Sequence, residues 1–203
     1  DPRVLIPRPE TEWLVEQSLK ILNRTPSLVW DVGTGSGAIA LSIKKNDPKT
    51  QMIASDLSRD ALVVARRNAK RLSVDGVRFI QGSLLTTRIK ALLKKSHAPS
   101  FLIVANLPYL PLRDKRTMQT QVIRYEPTSA LFAKEQGSFL IKKFFTQLQT
   151  FRREDPRPMH LFIECDQPQA IPLQRMAHAV FPDDRTTVHR NFNGENRFLE
   201  IHE

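Results

Sequence analysis

LVWDVGTGSGA, residues 28–38, is the stretch that decides the fold. Its first five residues form a short, largely apolar run closed by glycines, which is typical of a buried strand. A helix is predicted to follow at residues 38–45, so the glycines occupy a strand-to-helix turn. In a parallel α/β sheet such a turn lies at the carboxyl end of a strand, where ligands bind. The stretch therefore predicts a ligand-binding loop at one edge of a sheet.

The rest of the chain alternates apolar runs with amphipathic stretches. Further strands are predicted at residues 51–55, 77–80, 101–105, 160–164, 186–189 and 197–201. Helices are predicted at residues 10–22, 58–72, 89–95, 137–151 and 167–181. Apolar strands that alternate with helices imply an α/β fold with a mostly parallel sheet covered on both faces. The Asn193-Gly194 turn between the last two strands is too short for a parallel crossover, so one strand is expected to be antiparallel.

The composition is that of one soluble folded domain. The 203 residues are 40% hydrophobic and 26% charged, with a net charge of +10 that suits an acidic partner such as RNA. No apolar run approaches the roughly 18 residues that suggest a membrane span. The single cysteine, Cys165, excludes an internal disulfide framework, and the five histidines have no metal-ligand spacing, so no metal is expected.

Two classes of cofactor fit the glycine loop. Gly33, Gly35 and Ala38 match the dinucleotide pattern G-x-G-x-x-G/A. Gly33, Gly35 and Gly37 match the loop of methyltransferases that use S-adenosylmethionine (SAM). Asp31 favours SAM, because an acid two residues before the first glycine repels a pyrophosphate but can face the cationic amino group of SAM.

Asp56 offers a second contact for either cofactor. It ends the second predicted strand, 21 residues beyond Gly35, where an acid can accept hydrogen bonds from ribose hydroxyls. A glycine-rich turn that binds no ligand is the remaining alternative for this edge.

The turn Asn106-Leu107-Pro108-Tyr109 follows the fourth predicted strand, at the same edge as the glycine loop. The Asn106 side chain offers an acceptor oxygen, and Pro108 pushes Leu107 into an extended conformation that fixes the direction of its carbonyl. Together these two oxygens can accept both hydrogens of a planar NH2 group, while Tyr109 packs on its flat face. The turn thus indicates methylation of an amide or aromatic amine, whose nitrogen gains from two acceptors as positive charge develops.

Several segments together carry a resemblance to a known family. In chain order they are LIPRPETE (5–12), DVGTGSG (31–37), Asp56, NLPY (106–109), YEP (125–127) with Ala130 and Leu131, and NGENRF (193–198). This ordered set resembles the HemK/PrmC family of protein-glutamine N5-methyltransferases. The similarity covers nearly the whole chain.

The resemblance implies a fold, a substrate and a division of the chain. The fold is the seven-stranded, Rossmann-like SAM-dependent methyltransferase sheet, with helices on both faces. The substrate is the glutamine amide in the Gly-Gly-Gln motif of class-1 peptide release factors. Residues 1–27 hold the opening motif and leading helix, and residues 28–203 the SAM-dependent methyltransferase domain. The family's helical N-terminal domain is absent from this chain, so a fragment is expected.

The candidate site combines the residues of both loops. The SAM contacts are assigned to Asp31, Gly33, Thr34, Gly35, Ser36, Gly37, Asp56, Ser83, Leu84 and Asn106. The substrate contacts are assigned to Pro9, Asn106, Leu107, Pro108 and Tyr109, of which the last four are also the catalytic candidates.

Three departures from the family pattern leave alternatives open. Leu107 replaces the first proline of Asn-Pro-Pro-Tyr, and Asn-Leu-Pro-Tyr is also the motif of rRNA adenine-N6 dimethyltransferases. Ser83 stands where the family commonly has an acid near the adenine, and residues 164–166, Glu-Cys-Asp, depart from Glu-x-Gly. The alternatives are an adenine-N6 methyltransferase acting on RNA or DNA, and a non-catalytic SAM-fold factor that binds RNA.

A release factor is the expected partner, and a monomer that does not bind membranes is the expected state. One predicted helix carries the basic residues Arg66, Arg67, Lys70 and Arg71. A solvated helix face is the simpler interpretation, ahead of a weak RNA or ribosome contact. The high pI and the ending RFLEI (197–201) are more similar to the mitochondrial branch of the family, which favours the mitochondrial matrix over the bacterial cytoplasm.

Overall fold

One mixed sheet forms the centre of the molecule. The structure is a computed structural model that describes residues 1–25, 27–111, 127, 132–133 and 138–203. The strands within these residues are β1 (Leu28–Val32), β2 (Gln51–Asp56), β3 (Val77–Gln81), β4 (Phe101–Ala105), β5 (Leu110–Pro111), β6 (Phe132–Ala133), β7 (Met159–Glu164), β8 (Arg185–Arg190) and β9 (Asn196–His202). Seven of them form the sheet in the order β3-β2-β1-β4-β7-β9-β8, and β5 pairs with β6 separately. β9 runs opposite to the other six strands of this sheet, which confirms the predicted mostly parallel architecture with one antiparallel strand.

Helices cover both faces of the sheet. Those in the described part of the chain are α1 (Pro9–Leu22), α2 (Ala38–Asn46), α3 (Arg59–Arg71), α4 (Thr87–Lys95), α5 (Phe139–Glu154) and α6 (Gln167–Val180). Successive strand residues point to opposite faces. Val29 therefore packs with Leu14 of α1 and Ile43 of α2, whereas Trp30 belongs to the core beneath α4, α5 and α6. Each predicted helix and strand is present, with ends that differ by at most three residues.

The largest of these differences is at the end of α5. The helix runs to Glu154, three residues beyond the predicted end, and stops before Pro156. A proline disfavours helical backbone at the residue before it, and Asp155 is indeed extended. The predicted polar loop after Tyr109 contains β5, and its residues 112–126 lie outside the described residues.

The strand register brings the functional loops to one edge. β1 lies between β2 and β4, so that Val32 pairs with both Ser55 and Ala105. β7 lies on the other side of β4, where Ile163 pairs with Ala105. Because these strands are parallel, the loops that follow β1, β2, β4 and β7 are neighbours.

Helix α1 packs against the C-terminal strands. The Trp13 ring stacks on Phe198 at 4.2 Å between centroids, with 10° between the planes. On β9, Glu200 accepts hydrogen bonds from the Nε2 atoms of His160 and His189, at 2.7 and 2.6 Å. These contacts tie α1, β7 and β8 to β9. In the described residues, no helix is long and apolar enough to cross a membrane.

The hydrogen bonds of Glu200 to His160 and His189 predict that the protein loses stability in acid. Burial alone would raise the pKa of Glu200, but the hydrogen bonds from both histidines outweigh it and hold the pKa at about 2, below its ordinary value of 4.5. The stabilisation is therefore complete above pH 4.5 and is lost as the pH falls through about 2. We expect Glu200→Gln to remove this part of the acid dependence of the unfolding free energy.

Denaturant unfolding between pH 2 and pH 7 measures the effect. The control is Glu16→Gln on the exposed side of α1, which removes the same charge and should keep the wild-type slope. Parallel curves for Glu200→Gln and the wild type would contradict this account.

Candidate active site

A cavity of about 590 Å³ opens at the carboxyl edge of the sheet. Its volume lies within the range of about 300–1,000 Å³ that small-molecule sites span. The glycine loop, the end of β2, the turns after β3 and β4, and the N-terminal segment form its wall. The candidate site residues on the wall are Gly33, Thr34, Gly35, Ser36, Asp56, Ser83, Leu84, Asn106, Leu107 and Pro108. One cavity thus collects most of the predicted site, although the role of each residue stays a prediction.

The glycine loop is anchored to the end of β2. The backbone N–H groups of Gly33 and Thr34 both donate to the Ser55 carbonyl, at 2.9 Å each. The N–H of Gly35 donates to Asp56 Oδ2 at 2.9 Å. Gly33 has a φ of +74°, a left-handed conformation that favours glycine. The loop is therefore fixed by bonds that its own backbone makes to the neighbouring strand.

Gly37 does not line the cavity, and its predicted contact with SAM stays a prediction. It is buried at the start of α2 with a φ of +83°. A Cβ at this position would lie 3.1 Å from Leu41 and 3.3 Å from Ala65. Gly37 thus lets the loop enter α2 while α2 and α3 pack closely.

Asp31 lies behind the glycine loop, not on the cavity wall. It is fully buried, and its Oδ2 accepts from Thr34 Oγ1 at 2.6 Å and from the Ala40 N–H at 3.1 Å. Burial raises the pKa of Asp31 to about 7, against the lowering effect of these two bonds. Its Oδ1 has no hydrogen-bond partner among the described residues. The observed contacts of Asp31 support the loop, and its direct contact with the SAM amino group stays a prediction.

Asp56 does lie on the wall, next to the loop. Besides Gly35, it accepts the N–H of Ser58 at 2.8 Å, just before α3 begins. Burial raises the pKa of Asp56, partly offset by these backbone bonds. Each carboxylate oxygen keeps a further lone pair for a donor in the cavity.

The turn after β3 brings Ser83 and Leu84 to the cavity. The N–H of Gly82 donates to the Asp56 carbonyl at 2.9 Å, which fixes the turn beside β2. Leu84 is buried with a φ of +55°, which is rare for a residue with a side chain. Such strain is found where the surroundings hold a residue at a functional site.

The turn after β4 is held by the end of β7. Asn106 Nδ2 donates to Glu164 Oε2 at 2.8 Å, and the Tyr109 hydroxyl donates to Glu164 Oε1 at 3.1 Å. Arg197 Nη2 donates to the Tyr109 hydroxyl at 2.6 Å, and its guanidinium lies 5.1 Å from the ring centroid. Burial, followed by the charge of Glu164, raises the pKa of Tyr109. The predicted residues Asn106 and Tyr109 thus belong to a half-buried network centred on the buried Glu164, together with Arg197.

The N-terminal segment contributes differently from the prediction. Pro9 is exposed at the first position of α1, where its fixed φ suits the helix start, and it does not line the cavity. Pro7 and Thr11 do line it. Thr11 Oγ1 is buried without a partner in the described part of the chain. Thr11 thus belongs to the cavity wall and Pro9 does not, while the assignment of Pro9 to the substrate stays a prediction.

Three polar residues of the site, Thr11, Glu164 and Arg197, were not predicted from the sequence. Most of one predicted segment, residues 125–131, lies outside the described residues. The sequence gives a signal for Glu164, because an acid ends an otherwise apolar strand. Thr11 and Arg197 lie in the motif segments 5–12 and 193–198, but their residue types did not single them out as site residues. Of the motif at 125–131, Tyr125, Glu126, Ala130 and Leu131 lie outside the described residues, whereas Pro127 lines the cavity. In the described ranges, no three His, Cys, Asp or Glu residues form a group that could hold a metal ion.

Comparison with curated proteins finds relatives that align along most of the chain. The release factor glutamine methyltransferase of Enterococcus faecalis is 36% identical over 193 residues, 95% of this chain and 66% of that protein. The enzyme of the same name from Lactococcus lactis is 33% identical over 202 residues, 99% of this chain and 70% of that protein. That of Escherichia coli is 40% identical over 136 residues, 67% of this chain and 46% of that protein. The chain spans about two thirds of the length of the first two relatives.

Family models and solved structures agree on the fold. A model described as a precorrin methyltransferase domain matches residues 17–104. A ribosomal protein L11 methylase from Lactobacillus delbrueckii subsp. bulgaricus has a TM-score of 0.62 at 19% identity and covers 99% of this chain and 82% of its own. The hMettl16 catalytic domain in complex with MAT2A 3′UTR hairpin 1 has a TM-score of 0.73 at 12% identity. The alignment covers 100% of this chain and 72% of that one. These similarities confirm the predicted methyltransferase fold.

Gly37 and Gly194 share a left-handed backbone conformation, but we expect alanine to destabilise the fold more at Gly37 than at Gly194. Gly194 has a φ of +81°, but a Cβ there would meet nothing within 4 Å. We expect Gly194→Ala to destabilise the fold by about 1–2 kcal/mol through backbone strain. Gly37→Ala should cost about 1–3 kcal/mol more, because its methyl group overpacks the contact with Leu41 and Ala65. Denaturant unfolding of both variants measures this difference, and equal losses would refute the packing role of Gly37.

Proposed function

The chain belongs to the family of release factor glutamine methyltransferases, and we propose that its acceptor is the glutamine of the Gly-Gly-Gln motif in a class-1 peptide release factor. The family's reaction is the SAM-dependent methylation of a glutamine side chain in a release factor. The observation that carries the proposal for this chain is the orientation of Asn106. Its NH2 group is bound to Glu164, so its oxygen is left for a donor in the cavity.

The residues of the cavity fit SAM as the cofactor. Asp56 offers a carboxylate to ribose hydroxyls, and the unpartnered Thr11 Oγ1 can bind a polar group of the cofactor. When bound, SAM supplies a methyl group on a positively charged sulfur. The glycine loop and the turn at Ser83 and Leu84 then form the remaining walls around it.

The turn after β4 is suited to bind and orient an amide. Asn106 Oδ1 and the Leu107 carbonyl can each accept one hydrogen of the glutamine NH2 group. An amide nitrogen is a weak nucleophile because its lone pair is delocalised. Two acceptors stabilise the pyramidal nitrogen on which positive charge develops during transfer, so they act most strongly in the transition state.

Leu107 is compatible with this role although it replaces a proline of the family motif. Its side chain is buried, and its Cδ2 lies 3.1 Å from the place that a Cβ on Gly33 would occupy. Leu107 thus packs on the glycine loop, while the acceptor assigned to it is the main-chain carbonyl. Pro108 still restrains the backbone that carries this carbonyl.

A labelling experiment tests the proposed substrate. The protein is incubated with methyl-labelled SAM and either a release factor, the same factor with Gly-Gly-Gln changed to Gly-Gly-Asn, or ribosomal RNA. We expect label in the unchanged factor only, and label in the RNA would favour the adenine-N6 alternative instead. We also propose a weak RNA contact through four exposed basic residues of α3, Arg66, Arg67, Lys70 and Arg71. A measurement of binding to the same ribosomal RNA tests this contact.

Removal of the Asn106 acceptor should reduce turnover more than cofactor binding. We expect Asn106→Ala to lower kcat about 10²- to 10³-fold, as does the loss of one preorganised electrostatic partner. SAM affinity should change far less. Single-turnover methylation of a release factor and calorimetry with SAM measure the two effects. The control is Asn46→Ala at the exposed end of α2, and near-wild-type transfer by Asn106→Ala would place the chemistry elsewhere.

The raised pKa of Asp31 predicts a pH dependence of cofactor binding. A positively charged ligand favours the ionised carboxylate, so binding releases a proton while the pH is below the pKa of about 7. SAM affinity should therefore rise with pH towards 7, by at most about tenfold per pH unit. Asp31→Asn should flatten this rise, whereas the exposed Asp75→Asn should not. Calorimetry at pH 5.5 to 8 decides, and an unchanged slope in Asp31→Asn would exclude this coupling.

A further inference from the structure

The geometry points to Glu164 as a positioning residue for the methyl transfer, one that acts through Asn106. It fixes the Asn106 side chain in the single orientation that presents Oδ1 to the substrate amide. This inference rests on the proposed function, because it needs Asn106 to act as the acceptor. The inference makes the end of β7 necessary for methyl transfer, although β7 contributes no residue to the cavity wall.

Glu164 is placed to hold both ends of the turn after β4. It is the last residue of β7, which pairs with β4, and its side chain is fully buried. One carboxylate oxygen accepts from Asn106 at 2.8 Å and the other from the Tyr109 hydroxyl at 3.1 Å. A single group therefore fixes the first and the fourth residue of the turn.

A carboxylate at this position resolves an ambiguity of the asparagine side chain. An amide presents a donor on one side and an acceptor on the other, and a half-turn about χ2 exchanges them. An ionised carboxylate only accepts, so Asn106 must direct Nδ2 towards Glu164 and Oδ1 away from it. A glutamine in place of Glu164 would keep its oxygen towards the donors Tyr109 and Arg197, so its NH2 group would face Asn106 and favour the reversed orientation.

Three donors face the Glu164 carboxylate: Asn106 Nδ2, the Tyr109 hydroxyl and Arg197 Nη2. Burial raises the pKa of Glu164, and Arg197 and the Tyr109 hydroxyl offset only part of that rise. Arg197 Nη2 lies 3.5 Å from Glu164 Oε1, and its Nη1 lies 3.3 Å from Asp166 Oδ1. A buried ion pair of this kind is a weak source of stability compared with apolar packing. Its value here lies in the direction that it gives to Asn106.

Glu164→Gln tests the inference with Asp166→Asn as its matched control. Both variants change a carboxylate near Arg197 to an amide, but only Glu164 contacts Asn106 in the described structure. Asn is as good an N-cap for α6 as Asp, so the control keeps the helix start. We expect kcat on a release factor to fall about 10- to 100-fold in Glu164→Gln, with unchanged SAM affinity and little change in KM. Asp166→Asn should stay near the wild-type rate.

A double-mutant cycle separates action through Asn106 from a general structural effect. If Glu164 acts only by orienting Asn106, Glu164→Gln should cost nothing further in an Asn106→Ala background. Additive losses in the double variant, or an unchanged rate for Glu164→Gln, would overturn the inference. The proposed function would still stand if the wild-type protein methylates the release factor. Absence of release factor methylation by the wild-type protein would remove both.

A measurement on the wild-type protein covers the case in which Glu164→Gln does not fold. Nitrogen-15 NMR can identify the Asn106 side-chain NH2 resonances by their loss in Asn106→Ala. A hydrogen bond to a buried carboxylate should shift one of the two protons strongly downfield and slow its exchange with solvent. Two protons with the shifts and exchange rates of a solvated amide would overturn the inference.

Discussion

The architecture of the site depends on three carboxylates at one edge of the sheet, of which Asp31 and Glu164 are buried and Asp56 is half-buried. A carboxylate away from water is costly unless its oxygens accept hydrogen bonds, and each of the three accepts bonds from the irregular segments around the cavity. Asp31 binds Thr34 and the start of α2, Asp56 binds Gly35 and the start of α3, and Glu164 binds the turn after β4. The need to satisfy these groups is what holds three irregular segments in fixed positions around one cavity.

The three carboxylates differ in their counterions, and this difference matches the charge of the ligands. Glu164 has a cation beside it, Arg197, so its charge is compensated within the protein. Burial raises the pKa of all three carboxylates, but neither Asp31 nor Asp56 forms an ion pair in the described part of the chain. A positively charged cofactor such as SAM therefore gains from the side of the cavity formed by β1 and β2. The uncharged glutamine amide is matched instead to the neutral acceptors of the turn after β4.

Sequence patterns predicted the parts of this structure that depend on neighbouring residues. The strand at 28–32, the glycine turn and the order of the elements follow from local apolar periodicity and turn chemistry. The pairing of Asn106 with Glu164 joins residues 58 positions apart, and that of Tyr109 with Arg197 joins residues 88 apart. Neither has a local signature. Likewise, spacing along a motif does not reveal whether a residue faces a cavity or a neighbouring helix: Pro9 and Gly37 lie off the cavity wall, and their assignment to ligand contacts stays a prediction.

The fold itself does not determine the methyl acceptor. The sheet is shared, at 12% identity, with the catalytic domain of hMettl16 in complex with an RNA hairpin and, at 19%, with a ribosomal protein L11 methylase. Selection of the acceptor must therefore arise from what surrounds the cavity at the carboxyl edge. In this chain those surroundings are the N-terminal segment, which packs Val4 on Ala61 and Val64 of α3, and the turn after β4. Leucine in place of the family's proline at 107 adds an N–H group and frees φ, while its side chain packs on the glycine loop. The groups assigned to bind the amide are a main-chain carbonyl and an asparagine oriented by β7, and the substitution leaves both in place.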